Sequence, residues 1–360
     1  MVNSAGDGAA GRGSDSEREL AIDADGLRLV YGDGTVAVAD VSLSVPSGEF
    51  FGFLGPNGAG KTTAIKVFAT LLSPTGGDVR VNGFDVRSES RKIRESIGYM
   101  AQETSIDPEL TARENVAFAC EAYGVPRGER GERIDELLDL VDLVPEADKR
   151  ADEFSGGMKK RLDAATALVH EPPLVFLDEP TTGLDPSARN RLWEYFRAIN
   201  DRGTTIFLTT QYLEEADQLC DRLAVINDGE IVADGSPADL KRRVGGDVLD
   251  VDVDGGPSAR ERAAAVARSF EGFDAATVET TDEGISVTAG TARQHGTDLL
   301  VRLRDEGLTV TGFNVRAPTL DDVFLAITGD RVDSGGDGGS DGQASATPTG
   351  ADASTEAGDR

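Results

Sequence analysis

The sequence predicts an α/β protein with a mostly parallel sheet, followed by a smaller α+β unit near its C-terminal end. Residues 50–54 are an apolar run typical of a buried strand, which leads through a glycine-rich turn into apolar residues at helical spacing. Residues 174–177 form a second buried strand that ends in two carboxylates. A Ser-Gly-Gly turn, which starts at Ser155, precedes another amphipathic helix. Together these observations predict a phosphate-binding α/β core.

The glycine-rich turn, G-P-N-G-A-G-K-T-T from Gly55, has the features of a phosphate site. Its glycines let backbone N–H groups close around an anion at a helix N-terminus, where the helix dipole also favours negative charge. Lys61 is placed to reach the β and γ phosphates of a nucleotide, and the Thr62 hydroxyl is placed to ligate Mg²⁺. A turn that merely joins strand to helix is the alternative, but the Gly-Lys-Thr ending at this offset argues against it. The predicted nucleotide-binding residues of the loop are Gly55, Pro56, Asn57, Gly58, Ala59, Gly60, Lys61, Thr62 and Thr63.

The two carboxylates that follow the second strand have separate predicted uses. Asp178 can hold Mg²⁺ or its waters, and Glu179 can orient the water that attacks the γ phosphate. A solvated acidic turn is the alternative in so acidic a chain. The position at the tip of an apolar strand, ahead of Pro180, favours the catalytic interpretation.

The Ser-Gly-Gly turn predicts a second phosphate-facing helix terminus. Ser155 suits the N-cap position, and Gly156 and Gly157 follow it at the start of the helix. Because one chain would then carry two such termini, the pattern predicts that each nucleotide lies between the phosphate loop of one copy and the Ser-Gly-Gly helix of another.

With these three motifs in this order, residues 20–240 resemble the ATP-binding subunits of ABC transporters. The resemblance implies a P-loop NTPase cassette, with a RecA-like core, an antiparallel β subdomain and a helical subdomain at about residues 103–153. It also implies hydrolysis of ATP with Mg²⁺, a dimer of two copies, and a separate membrane permease of the ABC-2 type as partner. The chain would then be cytoplasmic and peripheral on the inner face of the cell membrane.

Further residues match positions of the family's pattern. Tyr31 matches the aromatic residue that stacks on adenine, although an ordinary strand aromatic is the alternative. Gln102 matches the glutamine that senses Mg²⁺ and the attacking water, with a polar loop residue as the alternative. Asp185 matches the loop that crosses the dimer interface, and it can also start a helix before Pro186. The resemblance therefore implies Thr62, Gln102 and Asp178 around the metal, and Glu179, Gln211 and Gln102 in catalysis.

Gln211 is a departure from the pattern, because most relatives have a histidine there that contacts the γ phosphate. A glutamine can donate a hydrogen bond to phosphate but does not titrate near neutrality. Met158 likewise stands where many relatives have glutamine. Both residues, with the later A-P-T-L-D-D-V-F-L, resemble the daunorubicin resistance branch, which implies export of a drug or other small molecule. A soluble ABC ATPase that acts on nucleic acid or ribosomes is the alternative function.

Beyond residue 240 the pattern predicts a βαββαβ order, a ferredoxin-like α+β fold without a catalytic constellation. The predicted organisation is a disordered tail at 1–18, a nucleotide-binding domain at 19–243, an accessory domain at 247–329, and a disordered acidic tail at 330–360. The accessory domain is expected to regulate or stabilise the dimer, and a small-ligand sensor is the second interpretation.

The charge of the chain limits its partners. A formal net charge of −29 disfavours binding to nucleic acid or to an anionic membrane surface. Only seven lysines occur, whereas acidic residues are spread throughout, as on the surface of proteins from extreme halophiles, where salt screens self-repulsion. Cys120 and Cys220 have no metal-ligand spacing and are expected to be reduced thiols.

Overall fold

The computed structural model describes residues 19–273 and 276–328. The predicted tails, 1–18 and 330–360, lie outside the described residues. The strands are β1 (Leu20–Val30), β2 (Val36–Pro46), β3 (Phe50–Leu54), β4 (Gly76–Val81), β5 (Phe84–Asp85), β6 (Ile97–Met100), β7 (Leu174–Asp178), β8 (Thr205–Thr210), β9 (Arg222–Asn227), β10 (Glu230–Gly235), β11 (Asp247–Asp254), β12 (Thr277–Thr280), β13 (Gly284–Ala289) and β14 (Thr309–Arg316). The helices are α1 (Lys61–Phe68), α2 (Ser90–Ser96), α3 (Ala112–Ala122), α4 (Arg130–Leu140), α5 (Gly156–Thr166), α6 (Pro186–Asn200), α7 (Leu213–Leu219), α8 (Pro237–Arg243), α9 (Gly256–Arg268), α10 (Ala292–Asp305) and α11 (Leu320–Thr328).

The larger sheet has the strand order β5-β4-β1-β2-β10-β9-β3-β8-β7-β6. Strands β9, β3, β8, β7 and β6 pair in parallel, whereas β1, β2, β4 and β5 pair antiparallel. The two halves meet where β10 pairs in parallel with β2 at Glu230 and Asp40. The fold prediction is therefore confirmed: a parallel core carries an antiparallel β subdomain.

An aromatic cluster holds the phosphate loop's helix on the sheet. Phe68 in α1 packs against Phe176 of β7 and Phe207 of β8, with ring centroids 6.3 Å and 5.5 Å apart. All three side chains are fully buried. Because large aromatic side chains bury the most apolar area, this contact fixes α1, and with it the residues that start it, relative to β7.

The helical insertion between the first two phosphate motifs begins as the sequence predicts. The Glu114 N–H donates to Thr111 Oγ1 at 3.2 Å, and the Thr111 N–H donates to Glu114 Oε2 at 2.9 Å, which is a capping box. Helices α3 and α4 pack with α5 through buried apolar side chains that include Val116, Leu137 and Leu162. The insertion is thus attached to the helix that follows the Ser-Gly-Gly turn.

Residues 247–316 form the predicted βαββαβ unit around a second sheet, in the order β12-β13-β11-β14. Helices α9 and α10 cover one face, where Leu249, Val251, Val287 and Leu299 are buried. No helix in the described ranges is both long and apolar enough to cross a membrane.

The last helix, α11, returns to the larger domain. It packs on α7 and α8, and Leu320, Val323 and Phe324 join the buried core of the cassette. Their near-complete burial means that the C-terminal segment contributes apolar area to the cassette as well as following the accessory unit. The boundaries at 19–243 and 247–329 stay a prediction.

Replacement of Phe324 should therefore destabilise the cassette. Phe324 is 2% exposed, and truncation of a buried phenylalanine to alanine costs about 3 to 5 kcal/mol. We expect Phe324→Ala to lower the free energy of unfolding, measured by urea titration in high salt. The matched control is Phe313→Ala, because Phe313 is 61% exposed on β14. Equal effects of the two substitutions would contradict the packing of α11.

Candidate active site

Six of the nine residues of the predicted phosphate loop line one cleft of about 340 Å³ at the N-terminus of α1, whereas Gly55, Pro56 and Ala59 do not line it. The cleft also receives side chains from the loop after β1, from the segment after β6 and from the end of β7. Its lining residues are Tyr31, Thr35, Val36, Ala37, Asn57, Gly58, Gly60, Lys61, Thr62, Thr63, Gln102 and Glu179. The structure thus brings together nine of the residues predicted for the site: Tyr31, Asn57, Gly58, Gly60, Lys61, Thr62, Thr63, Gln102 and Glu179.

The turn needs its glycines for steric reasons. Gly60 has φ +104°, and a Cβ atom there would lie 2.4 Å from the carbonyl oxygen of Ala37. A Cβ atom on Gly55 would lie 2.4 Å from the carbonyl oxygen of Ile226. Since real Cβ atoms do not come so close to backbone oxygen, only glycine lets the loop curl against β9 and β2.

Lys61 is buried in the loop rather than extended into solvent. Its Nζ donates to the carbonyl oxygens of Gly55 and Pro56 at 2.8 and 3.0 Å, and lies 3.4 Å from Oε1 of Glu179. Burial lowers the pKa of Lys61, and the nearby Glu179 carboxylate opposes that shift. A desolvated ammonium among oxygen atoms is well placed to interact with phosphate oxygens.

The Asp178 carboxylate joins the phosphate loop to β8. Its Oδ1 accepts from Thr62 Oγ1 at 3.1 Å and from Thr209 Oγ1 at 2.6 Å, and the residue is 1% exposed. Mg²⁺ prefers oxygen ligands and is commonly held by one or two carboxylates together with substrate phosphates. The hydroxyl of Thr62 and the carboxylate of Asp178, side by side at the loop, fit that requirement.

Glu179 lines the cleft and is held in an unusual backbone conformation. Its φ is +47°, which is uncommon for a residue with a side chain, and its N–H donates to the Thr209 carbonyl at 3.0 Å. Its Oε2 accepts from Gln102 Nε2 at 3.3 Å and from Thr182 Oγ1 at 3.5 Å. Such backbone strain persists where surrounding contacts enforce it, and here it directs the carboxylate towards Lys61.

Tyr31 lies at the outer side of the cleft. Its hydroxyl is 3.0 Å from Thr63 Oγ1, at the start of α1, and the residue is 41% exposed. The hydroxyl contact holds Tyr31 next to the phosphate loop, and the residue stays partly exposed along the cleft. This geometry is compatible with stacking on a base.

The remaining predicted site residues do not line this cleft in the described part of the chain. Ser155 caps α5 by accepting from the Met158 N–H at 3.3 Å, and it is exposed together with Gly156. Asp185 caps α6 by accepting from the Ala188 N–H at 2.9 Å. Gln211 is partly buried immediately after β8. The functional roles of all the predicted site residues stay predictions, both for those that line the cleft and for Ser155, Gly156, Gly157, Asp185 and Gln211.

Two threonines that were not predicted from the sequence support the carboxylates. Thr209 contacts both Asp178 and the backbone of Glu179, and Thr182 contacts the Glu179 side chain. A signal for Thr209 was present, because a fully buried strand that ends in hydroxyl side chains needs polar partners. The neighbouring strand that supplies them is known only once β7 and β8 are paired.

Comparisons with known proteins place this geometry in a family. Residues 38–182 match the family model described as "ABC transporter", and residues 235–328 match "ATP-binding protein DrrA1-3-like, C-terminal domain". The daunorubicin/doxorubicin resistance ATP-binding protein DrrA of Streptomyces peucetius is 42% identical over 315 residues, which are 87% of this chain and 94% of that protein. The chain belongs to the ABC transporter ATP-binding subunits of the daunorubicin resistance type.

Another relative is named for the export of a different compound. The Nod factor export ATP-binding protein I of Rhizobium etli is 38% identical over 311 residues, 86% of this chain and 93% of that protein.

Among solved structures, a dimeric ATP-binding cassette in a post-hydrolysis state with ADP and Pi matches this chain. The match covers 60% of this chain and 98% of that one, at 28% identity and a TM-score of 0.55. The chain is thus an ABC ATPase, of the class of ATP-hydrolysing subunits.

Proposed function

We propose that two copies of this ABC ATPase hydrolyse ATP and thereby power export of a drug or another small molecule through a separate permease of the ABC-2 type. The observation that carries the proposal is the convergence of Lys61, Gln102 and Glu179 on one cleft beside the Thr62–Asp178 pair. Export is supported by the names of the relatives, which include both drug resistance and Nod factor export proteins. Those two cargoes differ, so family membership favours export without selecting the compound.

Within one subunit, binding and catalysis have separate residues in this proposal. The loop amides and Lys61 bind the phosphates of ATP, and Glu179 orients the attacking water. Thr62, Gln102 and Asp178 would hold Mg²⁺, which when bound neutralises charge on the β and γ phosphate oxygens. Catalysis in this proposal is mostly electrostatic preorganisation, to which Thr209 contributes by holding the Asp178 carboxylate and the Glu179 backbone.

The second copy supplies what one subunit's cleft lacks. Ser155 stands at the exposed N-terminus of α5, where free N–H groups and the helix dipole favour an anion, but it lies outside the subunit's own cleft. We propose that Ser155, Gly156 and Gly157 of one copy contact the γ phosphate bound by the other, with Asp185 at the interface. Closure of the dimer then completes the site.

The location of the protein in the cell follows from its proposed permease partner. An ATPase that serves a permease acts at the inner face of the membrane, so we propose a cytoplasmic, peripheral location. The formal net charge of −29 supports an origin in an extreme halophile, because concentrated salt would screen the repulsion between acidic side chains.

The test of this function is reconstitution with a candidate six-helix permease encoded beside the chain. We expect the two proteins to copurify and inverted vesicles to accumulate, only with ATP, at least one compound of a panel of small molecules that includes daunorubicin. The soluble alternative predicts instead that ribosomes or nucleic acid stimulate the ATPase and that no membrane protein is retained. That result would overturn the export proposal and leave the ATPase assignment intact.

Gln211 offers a narrower prediction about the nucleotide site. If its amide donates to the γ phosphate, Gln211→Ala should lower turnover about tenfold to a hundredfold. Loss of one such hydrogen bond raises the activation free energy by about 1 to 3 kcal/mol. Gln211→His should remain active and acquire a pH dependence near the usual histidine pKa of about 6.5. Steady-state ATPase rates between mildly acidic and mildly basic pH measure both effects.

The control for Gln211 is Gln218→Ala, an exposed glutamine on α7. Gln218→Ala should keep the parent rate. If Gln211→Ala is also as fast as the parent, Gln211 only packs beside the site.

A further inference from the structure

We propose that Lys160 and Asp163 are positioning residues that fix the loop carrying Gln102 to helix α5. The two side chains hold the loop at opposite ends, Lys160 at Gln102 and Asp163 at Ser105. The inference rests on the proposed catalytic role of Gln102 and goes beyond it by naming what sets the position of that residue.

Lys160 forms the first contact. Its Nζ donates to the backbone carbonyl of Gln102 at 2.5 Å, and the residue is 8% exposed. Burial lowers the pKa of Lys160, while the charges of Asp163 and Asp178 oppose the shift. Withdrawing an ammonium group from water is costly unless its hydrogen bonds are replaced, so the Gln102 carbonyl compensates this burial.

Asp163 forms the second contact with a single oxygen. Its Oδ1 accepts from the Ser105 N–H at 3.1 Å and from Ser105 Oγ at 2.6 Å. Its Oδ2 is buried and has no hydrogen-bond partner among the residues that the structure describes. Burial raises the pKa of Asp163, and both Ser105 hydrogen bonds oppose that shift. A buried carboxylate with one oxygen unpaired lowers the stability of the fold compared with an apolar side chain at the same position. Its presence here therefore favours a role in holding Ser105.

Both contacts come from one turn of α5. Lys160 and Asp163 are three residues apart, so their side chains leave the same face of the helix. The Lys160 and Asp163 contacts thus connect α5 to the loop that carries Gln102. The side chain of Gln102 in turn contacts Glu179, because Gln102 Nε2 donates to Glu179 Oε2 at 3.3 Å. A displacement of α5 would therefore move the Gln102 backbone and change the contact between Gln102 and Glu179.

This connection gives α5 two roles. Its N-terminus is the Ser155 turn that we propose contacts the nucleotide of the other copy, and its next turn positions Gln102 in its own site. Lys160 and Asp163 would thus let closure of the dimer on one nucleotide alter the arrangement of catalytic residues around the other.

The test is a double-mutant cycle between Lys160 and Gln102 in the full chain. Lys160→Met keeps the apolar stem but cannot donate a hydrogen bond. We expect kcat for ATP to fall about tenfold while the Kd for MgATP changes by less than about twofold, because Lys61 and the loop are untouched. In a Gln102→Ala background, the same Lys160→Met change should have no further effect on kcat.

A second pair of variants tests Asp163 independently. Asp163→Asn keeps an oxygen that can accept from Ser105, so it should retain the parent kcat. Asp163→Ala removes that acceptor and should lower kcat.

The control for Lys160→Met is Lys149→Met, which removes one positive charge at an exposed lysine of the helical insertion. Its kcat should match that of the parent. Thermal unfolding of each variant separates loss of fold from loss of positioning.

The outcomes separate the inference from the function on which it rests. If Gln102→Ala lowers kcat but Lys160→Met does not, the positioning role is wrong and the role of Gln102 stands. If Lys160→Met costs the same in both backgrounds, Lys160 is merely structural and the inference is overturned. If Gln102→Ala leaves kcat unchanged, the catalytic role of Gln102 and the positioning role of Lys160 are both wrong. Should Lys160→Met not fold, equal kcat values for Asp163→Asn and Asp163→Ala would overturn the inference.

Discussion

Glu179→Gln should leave MgATP binding intact and lower ATP turnover by about a hundredfold to ten-thousandfold, the range for removal of a positioned proton acceptor. The amide has the shape of the carboxylate and can still meet Gln102 and Thr182, which hold the side chain at 3.3 and 3.5 Å. It cannot polarise a water molecule as an ionised carboxylate does. Binding is spared because the phosphate loop and Lys61 remain.

The variant should also accumulate as an ATP-bound dimer, since hydrolysis normally ends the closed state. Size-exclusion chromatography in high salt with MgATP would detect that dimer. Glu194→Gln is the matched control, because it makes the same chemical change at an exposed position of α6. Near-normal hydrolysis by Glu179→Gln would contradict the role assigned to this residue.

Local sequence patterns predicted the parts of this molecule that depend on neighbours along the chain. The strand over residues 50–54 matches β3, and the capping box of Thr111 and Glu114 starts α3. The N-cap at Ser155 is also present. Each of these features depends on residues within a few positions of one another, so spacing alone indicates them.

Contacts between distant segments could not be predicted in the same way. Thr209 reaches Asp178 only because β8 pairs with β7, and Lys160 reaches Gln102 across 58 positions of sequence. The amphipathic pattern of α11 indicates a buried face, but not that this face packs on α7 and α8. A periodic pattern gives the apolar side of an element, whereas its partner depends on the path of the whole chain.

The strained backbone of Glu179 illustrates a further limit. Its φ of +47° sets the direction of the carboxylate, yet nothing in the Asp-Glu-Pro sequence requires a left-handed conformation there. The conformation is held by the contacts of the Glu179 N–H with Thr209. The sequence pattern therefore indicates Glu179 as the catalytic candidate, whereas the orientation of the Glu179 side chain depends on Thr209 of another strand.

Lys61→Ala should weaken nucleotide binding itself, in contrast to Glu179→Gln. The ammonium supplies a charge-assisted hydrogen bond to phosphate, and loss of one such bond costs about 1.5 to 3 kcal/mol, or about tenfold to a hundredfold in Kd. Isothermal titration with MgATP measures this directly. Turnover should fall as well, because Lys61 Nζ lies 3.4 Å from Glu179 Oε1 in the same cleft.

The control for Lys61 lies on the same helix. Lys66→Ala removes the same charge from a partly exposed position of α1, so a general electrostatic effect on ATP would appear in both variants, whereas a direct contact would appear only in Lys61→Ala. Salt helps to separate the two, because screening weakens long-range attraction far more than a buried contact. Lys61 is 4% exposed, so its contribution to affinity should persist in concentrated salt. An unchanged Kd for Lys61→Ala would mean that the glycine-rich loop is not where ATP binds.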